Sequence, residues 1–157
     1  MTALATLATV AIVAGCGSSP STPARVVSEP GYTAEVPGGW KVVRQMRLLT
    51  ASQGDATVEV RLFPLRRAYD PALFDQVGPE IERVARELAK RLGASTTGRA
   101  VTVAGQKTWQ YDVVNSKRFE QLTFVLHGKV EYQLYCRRSN SDSNHPCERL
   151  VASFTLR

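Results

Sequence analysis

The sequence is poor in the side chains on which most catalytic chemistry turns. Its 157 residues hold two histidines and three cysteines. His127 stands beside a glycine in a turn, and His145 lies in a polar stretch of Ser, Asn and Pro, so both read as surface residues rather than as general bases. No G-x-S-x-G occurs, which removes the nucleophile elbow of a serine hydrolase. Glu59, Asp112, Glu120 and Glu131 are the available carboxylates for acid and base work, yet alternation along their strands puts most of them on a solvated face. His127, Cys136, His145 and Cys147 match no common zinc spacing such as C-x2-C, so neither a metal nor a cofactor is expected. Gly38 and Gly39 are too few to cradle a phosphate and read as a turn. Long apolar runs are missing too: the one that begins at Ala3 is about a dozen residues, where a membrane span needs about 20. There is also no basic residue in Met1-Thr2-Ala3-Leu4, the place where an export signal normally carries one.

What the N-terminus does have is an uncharged run of small and apolar residues that closes on Val13-Ala14-Gly15-Cys16 and opens into a Gly/Ser/Pro/Thr segment. This stretch resembles a bacterial lipobox. The resemblance implies that residues 1–15 are a signal peptide, that the thiol of Cys16 takes a diacylglyceryl group, and that residues 16–30 are a lipid-bearing flexible tether. A plain secretory signal and a buried N-terminal helix are the competing readings. Residues 31–157 are then one folded domain, with enough bulk for a single core. With Cys16 assigned to lipid, Cys136 and Cys147 remain as an even pair in a compartment where disulfides persist, and they are expected to bond to each other.

The formal net charge of +6 is compatible with anionic headgroups or acidic envelope polymers. Its carriers are scattered in pairs, at Arg44 and Arg47, Arg66 and Arg67, Lys117 and Arg118, Arg137 and Arg138, which reads as a solvated surface. Arg far outnumbers Lys and Ala and Val are abundant, as in a high-GC genome. The expected location is the extracytoplasmic face of the plasma membrane, or an outer membrane if the cell has one. Nucleic acid is not an expected partner there.

Periodicity predicts an α+β domain. Residues 32–36, the turn Pro37-Gly38-Gly39 and residues 40–43 read as a hairpin or a tight strand corner. Two strands meet at Gln53-Gly54-Asp55, the second alternating Val58, Val60 and Leu62 against Thr57, Glu59 and Arg61 until Pro64 ends it. Asp70-Pro71 then starts a long helix whose stripe is Leu73, Val77, Ile81, Val84, Leu88 and Leu92 and whose cap is Gly93. Pro79 predicts a kink or restart near Gly78. Glu82 with Arg86 and Arg83 with Glu87 are spaced to pair on its outer side.

A meander follows, in which Trp109, Tyr111 and Val113, then Leu122, Phe124 and Leu126, then Val130, Tyr132, Leu134 and Cys136 are expected to share one apolar face. The opposite face carries Gln110, Gln121, Thr123, Gln133 and Tyr135, and reads either as solvent surface or as the floor of a groove. Pro146 begins a short helix tied by the disulfide to the last meander strand, and residues 155–157 end the chain extended.

The Val36-Pro37-Gly38-Gly39-Trp40 core, the helix after Phe63-Pro64, the Ala104-Gly105 turn before an aromatic strand and the closing Ser153-Phe154 together resemble bacterial lipoproteins of the PsbP-like superfamily, of LpqN type or DcrB type. The resemblance covers residues 32–157. It implies an antiparallel sheet of about six or seven strands between a long helix and a short C-terminal helix. It does not fix a function, because that fold serves a photosystem subunit, a GTPase-binding factor and envelope lipoproteins alike. Two functional expectations follow for a non-enzymatic envelope lipoprotein. As a carrier it holds a lipid-like ligand between Leu73, Val77 and Ile81 of the helix and Trp109, Phe124 and Tyr132 of the sheet. As an accessory or interaction module it meets another envelope protein through a surface that includes Trp109, Gln110, Gln121, Phe124, Tyr132 and Gln133. A cavity of roughly 300 Å³ or more favours the carrier.

Overall fold

A computed structural model of the chain describes residues 23–157. The expected signal peptide, Cys16 and the first part of the tether lie outside the described residues. The tether expectation fails from Arg25 onward. Strand β1 (Arg25–Glu29) pairs antiparallel with β2 (Tyr32–Val36), and Val27 is 1% exposed, so the folded domain begins before the expected boundary at residue 31. The apolar pair Val26-Val27 sits among Pro and Ser, too short a signal to outweigh its polar setting.

After the corner at 37–40, strands β3 (Lys41–Gln45), β4 (Leu48–Gln53) and β5 (Ala56–Pro64) form an antiparallel ladder. A 3-10 turn leads into helix α1 (Phe74–Leu92), and β6 (Ser95–Val103), β7 (Gln106–Val114), β8 (Arg118–His127) and β9 (Val130–Ser139) make the meander. Helix α2 (His145–Ser153) and β10 (Thr155–Leu156) close the chain. The large sheet has seven strands in the order β3-β4-β5-β9-β8-β7-β6, and a second sheet, which the sequence did not suggest, has the order β1-β2-β10. Residues 32–36 and 40–43 are therefore a corner between two sheets and not a hairpin. The PsbP-like α+β architecture expected from the sequence is the one found.

Layers explain the burial. Helix α1 covers β6 and β7 on one face of the large sheet, packing Ile81, Ala85 and Ala89 against Tyr111, Val113, Leu122 and Phe124. The small sheet and α2 cover the other face, where Val27, Tyr32 and Phe154 meet Val60, Tyr132 and Leu134. Cys136 and Cys147 are bonded, with Cα atoms 5.4 Å apart, and fasten α2 to β9.

Three expectations about the helix are corrected. α1 runs unbroken through Pro79, because Pro79 lies in its second turn and removes only one amide bond, while the irregular backbone falls earlier, in the 3-10 turn capped by Asp70. The buried stripe is also rotated: Phe74, Gly78, Ile81, Ala85 and Ala89 face the sheet, while Leu73 and Val84 are exposed. Small residues mark the contact line because the helix sits close to the sheet. Glu82 pairs with Arg86 as spaced, but Arg83 pairs with Glu80 instead of Glu87.

The largest correction concerns the meander. Register puts Phe124 opposite Gln133 and Leu122 opposite Tyr135, while Thr123 faces Leu134 and Gln121 faces Cys136. The apolar set of β9 thus lies on the opposite face from those of β7 and β8. At β8 both faces of the sheet are buried, so alternation within a strand no longer says which side its apolar residues take.

Close approach makes Gly98 of β6 a sensitive position. A Cβ there would run into the buried Tyr111 ring, 2.8 Å from Cδ1 and nearer still to Cε1. Gly98→Ala is expected to lower unfolding stability by about 1–3 kcal/mol in urea titrations. Replacing Cys136 and Cys147 together by Ala should cost about 3 kcal/mol by the same measurement, because the unfolded chain regains the freedom of the loop.

Candidate functional site

The amide-rich set does not form a surface. Gln110 and Gln121 are 6% and 4% exposed and lie on the inner face with Tyr132, whereas Trp109, Phe124 and Gln133 lie on the α1 face. The inner amides are satisfied by their neighbours. Gln110 Nε2 donates to Thr123 Oγ1 at 3.0 Å, Gln121 Nε2 donates to Asp112 Oδ1 at 2.9 Å, and Arg99 donates to both Asp112 and Gln110. This array is a hydrogen-bonded seam between layers, with no amide group free for a ligand.

The expected carrier residues are dispersed as well. Phe124 is 2% exposed beneath α1, Tyr132 belongs to the other core, and Leu73 faces outward. Trp109 stacks on Phe74 with ring centroids 4.9 Å apart, at the edge of an open cleft that also includes Asp75, Gly78, Glu82, Gly98 and Tyr111. Only Val77 and Ile81 of the original set line a substantial apolar hollow.

That hollow is a groove of about 580 Å³ between the first half of α1 and the connection that leaves β5. Its apolar wall is Leu65, Tyr69, Val77, Ile81 and Leu126, and its charged residues are Arg66, Arg67, Glu80 and Glu131. Pro64 ends β5, and the chain is then strapped to the β8–β9 turn: Leu65 N–H donates to the Lys129 carbonyl at 2.8 Å and Tyr69 N–H to the Gly128 carbonyl at 2.7 Å. Asp70 stops the connection by capping the 3-10 turn, its Oδ1 accepting from Ala72 N–H at 2.9 Å. Both acids already have partners, Glu80 in an ion pair with Arg83 and Glu131 accepting from Gln133 Nε2. Arg66 and Arg67 make no ion pair among the described residues.

In the sequence the two arginines read as scattered surface charge, and nothing there marks Leu65 or Tyr69 as site residues. The paired arginines between Pro64 and a capping Asp70 were the available signal. Their position over Leu126 depends on β5 pairing with β9, a contact between distant parts of the chain that no local pattern announces.

Elsewhere the candidate chemistry is sparse. Among the described residues no three His, Cys, Asp or Glu side chains are grouped to hold a metal, and no helix is long and apolar enough to cross a membrane. His145 Nε2 lies 3.0 Å from Arg149 Nη2 in a shallow cleft beside Ala24 and Gly38. A buried carboxylate, Glu120, accepts from Tyr135 Oη at 2.8 Å, and Arg61 lies over the Tyr135 ring. Burial first, and then the bond to Glu120, hold the Tyr135 phenol well above its ordinary value of 10.0. A phenol whose pKa is raised on folding keeps its proton longer in the native state. Its contribution is therefore intact at neutral pH and lost as pH climbs past 10.0 toward the folded value. Tyr135→Phe is expected to flatten the alkaline fall in stability, read from urea midpoints between neutral and strongly alkaline pH.

No family profile and no curated protein sequence matches the chain. Solved structures do. Cyanobacterial PsbP from Synechocystis sp. PCC 6803 is 14% identical, with 92% of this chain and 99% of that one covered at a TM-score of 0.61. LpqN of Mycobacterium tuberculosis, described as involved in cell envelope biogenesis, is 17% identical over 85% of this chain and 90% of that one, with a TM-score of 0.51. A Bacteroides thetaiotaomicron protein is 11% identical at a TM-score of 0.53, where 87% of this chain spans 49% of that protein. At these identities the likeness is one of fold, and the fold is PsbP-like.

Proposed function

We propose that this chain is a non-enzymatic lipoprotein of the cell envelope, anchored through Cys16, whose domain binds a lipid-like ligand in the groove between α1 and the 65–70 connection. The groove itself carries this reading. At about 580 Å³ it falls within the range of small-molecule sites, and it joins a continuous apolar wall to a few charged groups at its rim. The PsbP-like fold, shared with an envelope-biogenesis protein, is in keeping with an accessory or binding role at the envelope.

A second reading rests on a separate observation. The α1 face is left uncovered over β3, β4 and β5, where Val43 and Phe63 are 40% and 42% exposed, and the β3–β4 turn carries Met46 at 95%. A partner protein of the envelope is the natural occupant of such a surface.

Native mass spectrometry of the protein taken from its own membranes separates the two readings. A reproducible added mass, released on unfolding, is the expected result. Val77→Trp fills the groove from a half-buried helix position and should abolish the added mass while leaving the far-ultraviolet circular dichroism unchanged. A bare wild-type domain that cross-links to a protein through positions 43 and 46 would give the second reading the field.

A further inference from the structure

Resting on that groove reading, we infer that the ligand is an anionic amphiphile, with one carboxylate or phosphate headgroup held by Arg66 and Arg67 and its apolar chain laid along Leu65, Val77, Ile81 and Leu126.

The inference comes from the charge accounting of the groove. Four charged side chains line it, two of each sign, but they are not equivalent. Glu80 is paired with Arg83, whose Nη2 stands 2.6 Å from its Oε1. The Glu131 carboxylate accepts from the Gln133 amide at 2.8 Å. The guanidinium groups of Arg66 and Arg67 have neither an ion pair nor a side-chain hydrogen bond among the described residues. What the groove offers a newcomer is therefore a pair of guanidinium groups that no protein acceptor occupies among the described residues. Guanidinium groups present planar forks that suit carboxylate and phosphate oxygens, and beside an apolar wall such bonds are stronger than in open water.

Backbone geometry lets neighbouring residues act together. In an extended strand Arg66 and Arg67 would point to opposite sides. Here the chain bends at both positions, after Pro64 has ended β5, and both residues border the same hollow. The strap to the β8–β9 turn holds the bend, since Leu65 and Tyr69 N–H groups are bonded on either side of the two arginines. The headgroup site is thus fixed relative to Leu126, on which the connection is folded back.

Size also limits the ligand. A free inorganic anion would use the arginines and leave about 580 Å³ of apolar-walled space unfilled. An uncharged chain would fill that space and leave the arginines to water alone. Only a molecule with both parts uses what the groove provides.

The test uses the full chain with Cys16→Ser, exported so that the disulfide forms, and isothermal calorimetry with probes of one chain length: dodecanoate, dodecanol and dodecyltrimethylammonium, with inorganic phosphate as the bare anion. Dodecanoate should bind about tenfold or more tightly than dodecanol, the size of one charge-assisted hydrogen bond. Arg66→Gln with Arg67→Gln should erase that preference and leave dodecanol binding within about twofold. Both side chains are exposed and carry no ion pair, so this variant retains the fold. Glu80→Gln, which removes charge of the other sign, should leave the preference in place. Equal affinity for acid and alcohol would overturn the headgroup inference and keep the groove. Preference for the cationic probe, or phosphate binding as tight as dodecanoate, would overturn it as well. If no probe binds, the groove reading falls and takes this one with it.

Discussion

Burial of β8 on both of its faces is the constraint on which the rest of the structure depends. Positions 120–125 of β8 are buried without interruption, with Leu122 and Phe124 turned toward α1 and Gln121, Thr123 and Val125 turned toward the small sheet and α2. A slip of one residue in its pairing would exchange these sets, sending Thr123 beneath the helix and Phe124 into a space shaped for Thr and Val. The hydrogen bonds between Gln110 and Thr123 and between Gln121 and Asp112 meet the needs of polar atoms buried on the inner side. They also tie β7 to β8 side chain to side chain, so the register is specified twice.

Close packing on one half of the sheet is what opens the groove on its flank. Gly78, Ala85 and Ala89 on α1, facing Gly98 and Trp109, let the helix settle over β6 and β7. The chain must still travel from the end of β5, on the far side of β9, to the start of that helix. It does so over the β8–β9 turn, and the hollow beneath the crossing is bounded by whatever the crossing carries. Here it carries Leu65, Arg66, Arg67 and Tyr69. The site is a by-product of topology, furnished by a few side chains on a short connection.

Much of the architecture was legible because its signals are local. Asp70-Pro71 and Gly93 mark the helix, with Gly93 in the left-handed conformation at φ 57°. The turns at Gly54, Gly105 and Gly128 separate strands close to where they were expected, and the Cys136–Cys147 pairing followed from counting. What escaped was non-local. β10 is two residues long and becomes a strand only because Thr33 and Tyr32 are there to pair with it, while β1 exists only against β2. The facing of β9 could not be read from Tyr132 and Leu134 alone, since a layer covers either side. Gln110, Gln121 and Gln133 share a polar face only in a sheet with a single buried side, and here Gln133 lies on the opposite face from the other two. For the groove, the residue types were visible and their meeting place was not.

The two ends of the large sheet carry different things, and this gives the molecule a direction. The start of β1 lies beside the first turn of α2, where Ala24 and His145 share a cleft, at the Cys136 end of β9; the groove lies at the Glu131 end. Between Glu131 and Cys136 of that strand lies about 17 Å of rigid sheet. The start of the described chain and the groove thus lie toward opposite ends of the sheet, and the groove stands apart from the residues that lead into β1.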